Sequence, residues 1–176
     1  MESAGFLTAL GTTCKRYGPG RLPRADRRDV GAGYALASAA TGATLLFAAV
    51  SWGMHGIGSP VGSDWEFLGT MSLLALPLVV PTSFAAAVLV WRALPADVPH
   101  FGAVAGLLST VGTYLLALGA LFAFYAAVVV LEGRFDQILE AVGFVALIGF
   151  VAVATTCWLT IPVGIVSGVV HERVTR

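Results

Sequence analysis

Hydroxyl side chains set inside strongly apolar sequence are the residues here with chemical potential. Ser38, Thr41 and Thr44 interrupt one apolar stretch, and Thr82 and Ser83 a second. Ser109, Thr110, Thr113 and Tyr114 interrupt a third, and Thr155, Thr156 and Thr160 a fourth. Prolines accompany them. Pro77 and Pro81 lack the amide hydrogens that would bond the carbonyls of Leu73 and Pro77, and Pro162 likewise frees the carbonyl of Trp158. Freed carbonyls beside hydroxyls suit a small polar cavity. Ser38, Thr41, Thr82, Ser109, Thr113, Tyr114, Thr156 and Thr160 are its candidate lining. The same residues also suit a structural use, in which hydroxyls re-satisfy kinked backbone and bond across helices at about 0.6 kcal/mol each.

Titratable groups offer less. His55, Asp64, Glu66, Glu132, Asp136 and Glu140 flank the apolar stretches, with Arg134 among them, but without metal-ligand spacing. His55, His100 and His171 all lie outside the apolar interiors, so no facing pair is expected to hold a haem. Cys14 and Cys157 share no motif. No nucleophile stands with a base, and no carboxylate lies in mid-segment as a proton-coupled pump would need. The expectation is a chain without catalytic residues, cofactor or metal. A formal net charge of zero gives no reason to expect a nucleic-acid partner.

The elements that position these residues follow from composition. Hydrophobic residues make up 57% of the 176 residues and charged residues 11%. Globular proteins carry about 25% charged residues, so lipid must replace water over much of this surface. Four apolar segments, at 31–54, 67–94, 101–131 and 138–170, each reach the about 20 residues needed to cross the hydrocarbon. Short links between them favour antiparallel neighbours. The expected fold is all-α, an integral membrane four-helix transmembrane bundle over 31–170. A basic segment over 1–30 precedes it, and a tail over 171–176 follows. The acidic start Met1-Glu2-Ser3 does not fit a signal peptide. Phe6, Leu10 and Cys14 recur every four residues, the spacing of a short interfacial helix. Leu36–Leu46 and Leu107–Leu116 also resemble each other, which raises two tandem hairpins as a possible repeat.

Basic residues orient the bundle. Lys15, Arg16, Arg21, Arg24, Arg27, Arg28, Arg92, Arg173 and Arg176 belong to one side, and Arg134 alone to the other. Lys and Arg favour the cytoplasm, so both termini are expected there, in the plasma membrane. Arg21, Arg24, Arg27 and Arg28 are also placed to meet anionic lipid.

Small residues form rows at helical spacing. Gly149, Ala152, Thr156, Thr160, Gly164 and Gly168 make one, and Gly102, Gly106, Ser109 and Thr113 another. A third holds Gly31, Ala35, Ser38, Gly42, Ala49 and Gly53. Such rows let backbones approach within a bundle, in a homo-oligomer, or against another membrane protein's helix. Smooth faces and short loops point to a non-catalytic scaffold, accessory or anchor subunit. The hydroxyl layer keeps a second reading open, a small permease or channel for a neutral or weakly polar solute. A lipid sensor acting through the basic segment is a third.

Overall fold

A computed structural model describes residues 22–58, 64–95 and 97–175. The expected interfacial helix and Arg21 lie outside them. Among the described residues the protein is helical, with no strand. Helix α1 spans Arg28–Gly56, α2 Trp65–Leu74, α3 Leu76–Ala93, α4 Phe101–Leu131 and α5 Ile138–Thr175. Four helices are long and apolar enough to cross a membrane, α1, α3, α4 and α5.

The expected second segment is two helices. Met71 and Leu73 carbonyls accept bonds from cap amides around Ala75, where α2 stops and α3 starts. Pro77 is the physical reason. It cannot donate to Leu73, and its ring crowds the preceding turn. At the first turn of α3 its missing donor costs nothing. Pro81 and Pro162 lie inside α3 and α5 without ending them. The fourth segment also runs further than its apolar stretch. Residues His171 to Thr175 continue α5, because polarity ends a membrane span but does not end a helix. At the close of α4, Gly133 takes the left-handed conformation (φ 71°) and lets the amide of Arg134 bond the carbonyl of Val129 at 3.0 Å.

The helices form a ring in which α1 packs on α3, α3 on α4, α4 on α5 and α5 on α1. Helix α2 packs beside α1. Consecutive membrane-spanning helices, α1, α3, α4 and α5, run antiparallel. The start of α1, the end of α3, the start of α4 and the end of α5 therefore meet at one end. This is the end that carries Arg27, Arg28, Arg92 and Arg173.

Alanine is the commonest buried hydrophobic residue, beside Leu36, Phe47, Trp91 and Phe101. Ala32, Ala43, Ala48, Ala86, Ala87, Ala105 and Ala141 are buried. Leu115, Phe124, Leu131, Leu139, Leu147 and Phe150 are exposed. Only 6% of the most apolar window of α4 is buried, so its large side chains face lipid rather than protein.

The closest approach is between α4 and α5. A methyl group on Gly102 would stand 2.6 Å from the carbonyl of Gly168, and one on Gly106 would strike the carbonyl of Gly164. From the other side, Gly168 would strike the carbonyl of Gly102, and Gly164 the hydroxyl of Thr110. Helices this close gain dispersion contacts between backbones, the main attraction left once lipid removes the hydrophobic term. The α1–α3 hairpin packs differently, with Gly33 seated against the side chains of Phe84 and Val88. Gly149 accepts Leu118 across the α4–α5 seam. Gly42 and Gly53 face outward with nothing within 4 Å.

These environments separate glycines that look alike in sequence. Gly106→Ala and Gly168→Ala should each destabilise by about 1–3 kcal/mol, the cost of overpacking. Gly42→Ala should stabilise by up to about 1 kcal/mol, through helix propensity alone. Unfolding in detergent micelles measures all three, and equal effects would refute the crossing.

Candidate functional site

The hydroxyls do not converge on one cavity. Thr41 donates to the carbonyl of Ala37 at 2.8 Å and Thr82 to that of Leu78 at 2.7 Å. Thr113 donates to the carbonyl of Ser109 at 2.8 Å. These bonds run back one turn along the residue's own helix, the local solution open to any helical Thr. Ser38 is exposed. Pro77, Pro81 and Pro162 are exposed as well, so the proline-facing backbone turns outward.

Three hydroxyls do meet. Tyr114 Oη on α4 lies 2.6 Å from Thr156 Oγ1 and 2.8 Å from Thr160 Oγ1 on α5. Thr156 also contacts the carbonyl of Ala152 at 2.7 Å, and Thr160 that of Thr156 at 3.0 Å. The three hydroxyls supply one hydrogen each. Four contacts thus share three donors, and the cluster has more than one proton arrangement. Its role is to join α4 to α5 at mid-depth.

A second assembly closes the end where four helix termini meet. Arg28 is exposed and also lies against two aromatic rings. Its guanidinium lies 4.2 Å from the ring centre of Phe101 and 5.2 Å from that of Trp91, a cation held on two aromatic faces. Trp91 packs edge-on against Phe101 and against His171, each at 4.9 Å between ring centres. His171 Nε2 lies 3.0 Å from the carbonyl oxygen of Arg28. A carbonyl only accepts, so Nε2 carries the hydrogen in this contact. Arg92 donates to Asp29 at 2.6 Å, and Arg27 reaches the same carboxylate at 3.6 Å. Arg24 adopts a left-handed backbone conformation (φ 61°) in the approach to α1.

Glu172 links this end to the glycine crossing. Its Oε2 accepts the amide hydrogen of Gly102 at 2.7 Å. A carboxylate at the first turn of α4 complements the partial positive charge of the helix start. Gly102 must be glycine for the approach, since a methyl group there would also stand 2.6 Å from this oxygen.

Between the two assemblies lies a small, half-open pocket of about 10 Å³. Leu36, Trp91, Ser109, Ser167 and His171 contribute to its wall. Ser109 is 1% exposed, and its hydroxyl has no hydrogen-bond partner. At the opposite end His55 stands 3.5 Å from Glu66, and Arg134 donates to Glu132 at 3.0 Å. Among the described residues no three His, Cys, Asp or Glu side chains gather as metal ligands.

Asp29, Trp91, Phe101, Ser167, His171 and Glu172 are the site residues that sequence reasoning missed. One signal for them exists. Glu172 continues the four-residue step of Gly164 and Gly168, as Thr110 continues that of Gly102 and Gly106. Both rows thus end on a polar residue at the seam.

The hydroxyl cluster should be measurable as a coupling. In a double-mutant cycle of Tyr114→Phe and Thr156→Val, unfolding in micelles should give an interaction energy of about 0.6–1.7 kcal/mol. Additive effects would show that the hydroxyls do not act together.

No family model, curated protein or solved structure matches this chain, so the arrangement is read from its own geometry.

Proposed function

We propose that this protein is a non-catalytic accessory, scaffold or anchor subunit of a plasma-membrane assembly, with both termini in the cytoplasm. The observation that carries the reading is how the polar and small residues are used. Tyr114, Thr156, Thr160, Arg28, Asp29, His171 and Glu172 hold helices to one another. One row of small residues is left facing out. Ser38, Gly42, Ala49 and Gly53 on α1 are exposed, and nothing within the chain approaches Gly42 or Gly53. Such a face suits another membrane helix, from a partner protein or a second copy. Lipid is the other partner, at the large apolar side chains and at the exposed arginines Arg27 and Arg92.

The orientation rests on the nine-to-one division of basic residues and on Arg27, Arg28, Arg92 and Arg173 lying at one end of the bundle. Single cysteines in a Cys14→Ser, Cys157→Ser background test it. In intact cells a membrane-impermeant maleimide should label Ser59→Cys and leave Thr175→Cys unlabelled. The reverse pattern would invert the assignment.

A second reading is favoured by the hydroxyls that all four membrane-spanning helices carry, among them the buried, unpartnered Ser109. It makes the bundle a small permease or channel for a neutral or weakly polar solute. Purification in mild detergent with cross-linking and mass spectrometry separates the two. Recovery of a defined partner or a stable oligomer, lost in Gly42→Leu, is the expected result. A lone monomer whose liposomes pass small neutral solutes, with flux reduced by Thr156→Val and Thr113→Val, would replace the first reading by the second.

A further inference from the structure

Asp29 is the point where arginines from two helix ends meet. Arg92, in the last turn of α3, donates through Nε to Asp29 Oδ2 at 2.6 Å. Arg27, the N-cap of α1, brings its own Nε to 3.6 Å from Oδ1. The carboxylate side chain is 14% exposed, and those of Arg27 and Arg92 are 54% and 56% exposed. The anchor is thus covered and the guanidiniums are open. A guanidinium carries five N–H donors, and each of these approaches Asp29 through Nε. The Nη groups of both arginines make no hydrogen bond among the described residues.

Charge at this point is not balanced. Arg28 adds a third guanidinium, over Trp91 and Phe101 and without a carboxylate. Asp26 and Asp97 are exposed near the same helix ends, and neither forms an ion pair among the described residues. One carboxylate against three guanidiniums leaves a place for a further anion. Arginine binds phosphate oxygens through paired N–H groups. Arg27 and Arg92 stand at the ends of two membrane-length helices, level with lipid headgroups. We propose that Arg27 and Arg92, positioned by Asp29, form a binding site for the phosphate of an anionic phospholipid. This rests on the lipid contact proposed above for the two arginines and adds a defined geometry to it. A phosphatidylcholine headgroup fits less well, because its own ammonium would stand beside the same cations.

Charge attraction alone and a built site make opposite predictions for Asp29. Asp29→Asn removes a negative charge, so attraction alone predicts tighter binding of anionic lipid. A site that needs the carboxylate to hold two guanidiniums together predicts weaker binding. Native mass spectrometry of the full chain in mild detergent, titrated with phosphatidylglycerol or phosphatidylcholine, separates them. Wild type should hold one phosphatidylglycerol with at least about fivefold preference. Asp29→Asn and Arg27→Gln should each weaken that binding about fivefold, and Arg173→Gln, the same charge change at the same end, less than about twofold. Arg27 is exposed and precedes the first turn of α1, so its variant decides the matter where Asp29→Asn does not fold. Equal or tighter binding by Asp29→Asn, or equal losses in Arg27→Gln and Arg173→Gln, overturns the built site and leaves lipid contact by charge in place. No preference in wild type overturns both. Inorganic phosphate that displaces the lipid at equal concentration would assign the site to a free anion and overturn the lipid assignment.

Discussion

The contact of α4 with α5 through Gly102, Gly106, Gly164 and Gly168 sets the register for the other bonds between these helices. The helices are antiparallel, so each step up α4 is matched by an equal step down α5. Gly106 faces Gly164. Eight residues further, Tyr114 faces Thr156, and the hydroxyl cluster falls where it does for that reason. Beyond it come Leu118 against Gly149 and Tyr125 against Phe144, with ring centres 5.6 Å apart. In the other direction the same register delivers Glu172 to the first amides of α4. A side chain inserted at the crossing would therefore disturb polar contacts well away from it.

The rest of the ring follows from the solvent. In water a bundle gains stability by hiding large apolar side chains, at about 25 cal/mol per Å². In lipid that gain is absent, and the arrangement reverses. Leu139 and Phe150 stay outside at 80% and 72% exposure, while alanine and glycine take many buried positions beside Leu36, Phe47, Trp91 and Phe101. Small residues cannot lock a rotation or a register by shape alone. Polar contacts supply that specificity. The cation of Arg28 on Trp91 and Phe101, the Asp29–Arg92 pair and the Tyr114 cluster each have one geometry in which they form.

How far each feature could be read in advance depends on whether it is local. Hydropathy is a property of a window, so the third segment was legible at 101–131 and coincides with α4. Helix ends that depend on backbone chemistry were less so. Pro77 divides a segment while Pro81 and Pro162 do not, because Pro77 sits where a cap can take up the lost bond. Small-residue rows were legible as rows but not as directions. Gly42 and Gly164 both belong to such rows, yet one faces out and the other meets Thr110. Direction depends on which helix lies alongside, and that is tertiary information. The partners of the hydroxyls were not legible for a related reason. Thr41, Thr82 and Thr113 have a carbonyl within reach one turn back, and no distant partner competes. Arg27 and Arg28 are adjacent in sequence, but Arg27 is the extended N-cap of α1 and Arg28 its first helical residue. One reaches Asp29 and the other, still exposed, lies over two rings.

The same geometry explains why the polar residues gather at one end. Lipid tolerates charge at a helix terminus far better than at mid-depth. The end shared by α1, α3, α4 and α5 is thus the place where four helices can be tied by charged groups at small cost. Helices α1 and α4 lie on a diagonal of the ring and need an intermediary. Arg28 supplies one by leaving α1 to cover Phe101 at the start of α4. His171 supplies another from α5, with its ring against Trp91 of α3 and its Nε2 on the backbone of α1. This end is consequently a single unit built from all four helices. A change in the tilt of α5 would be felt at once by the start of α1. At the opposite end His55 with Glu66 ties α1 to α2, and Glu132 with Arg134 closes one turn.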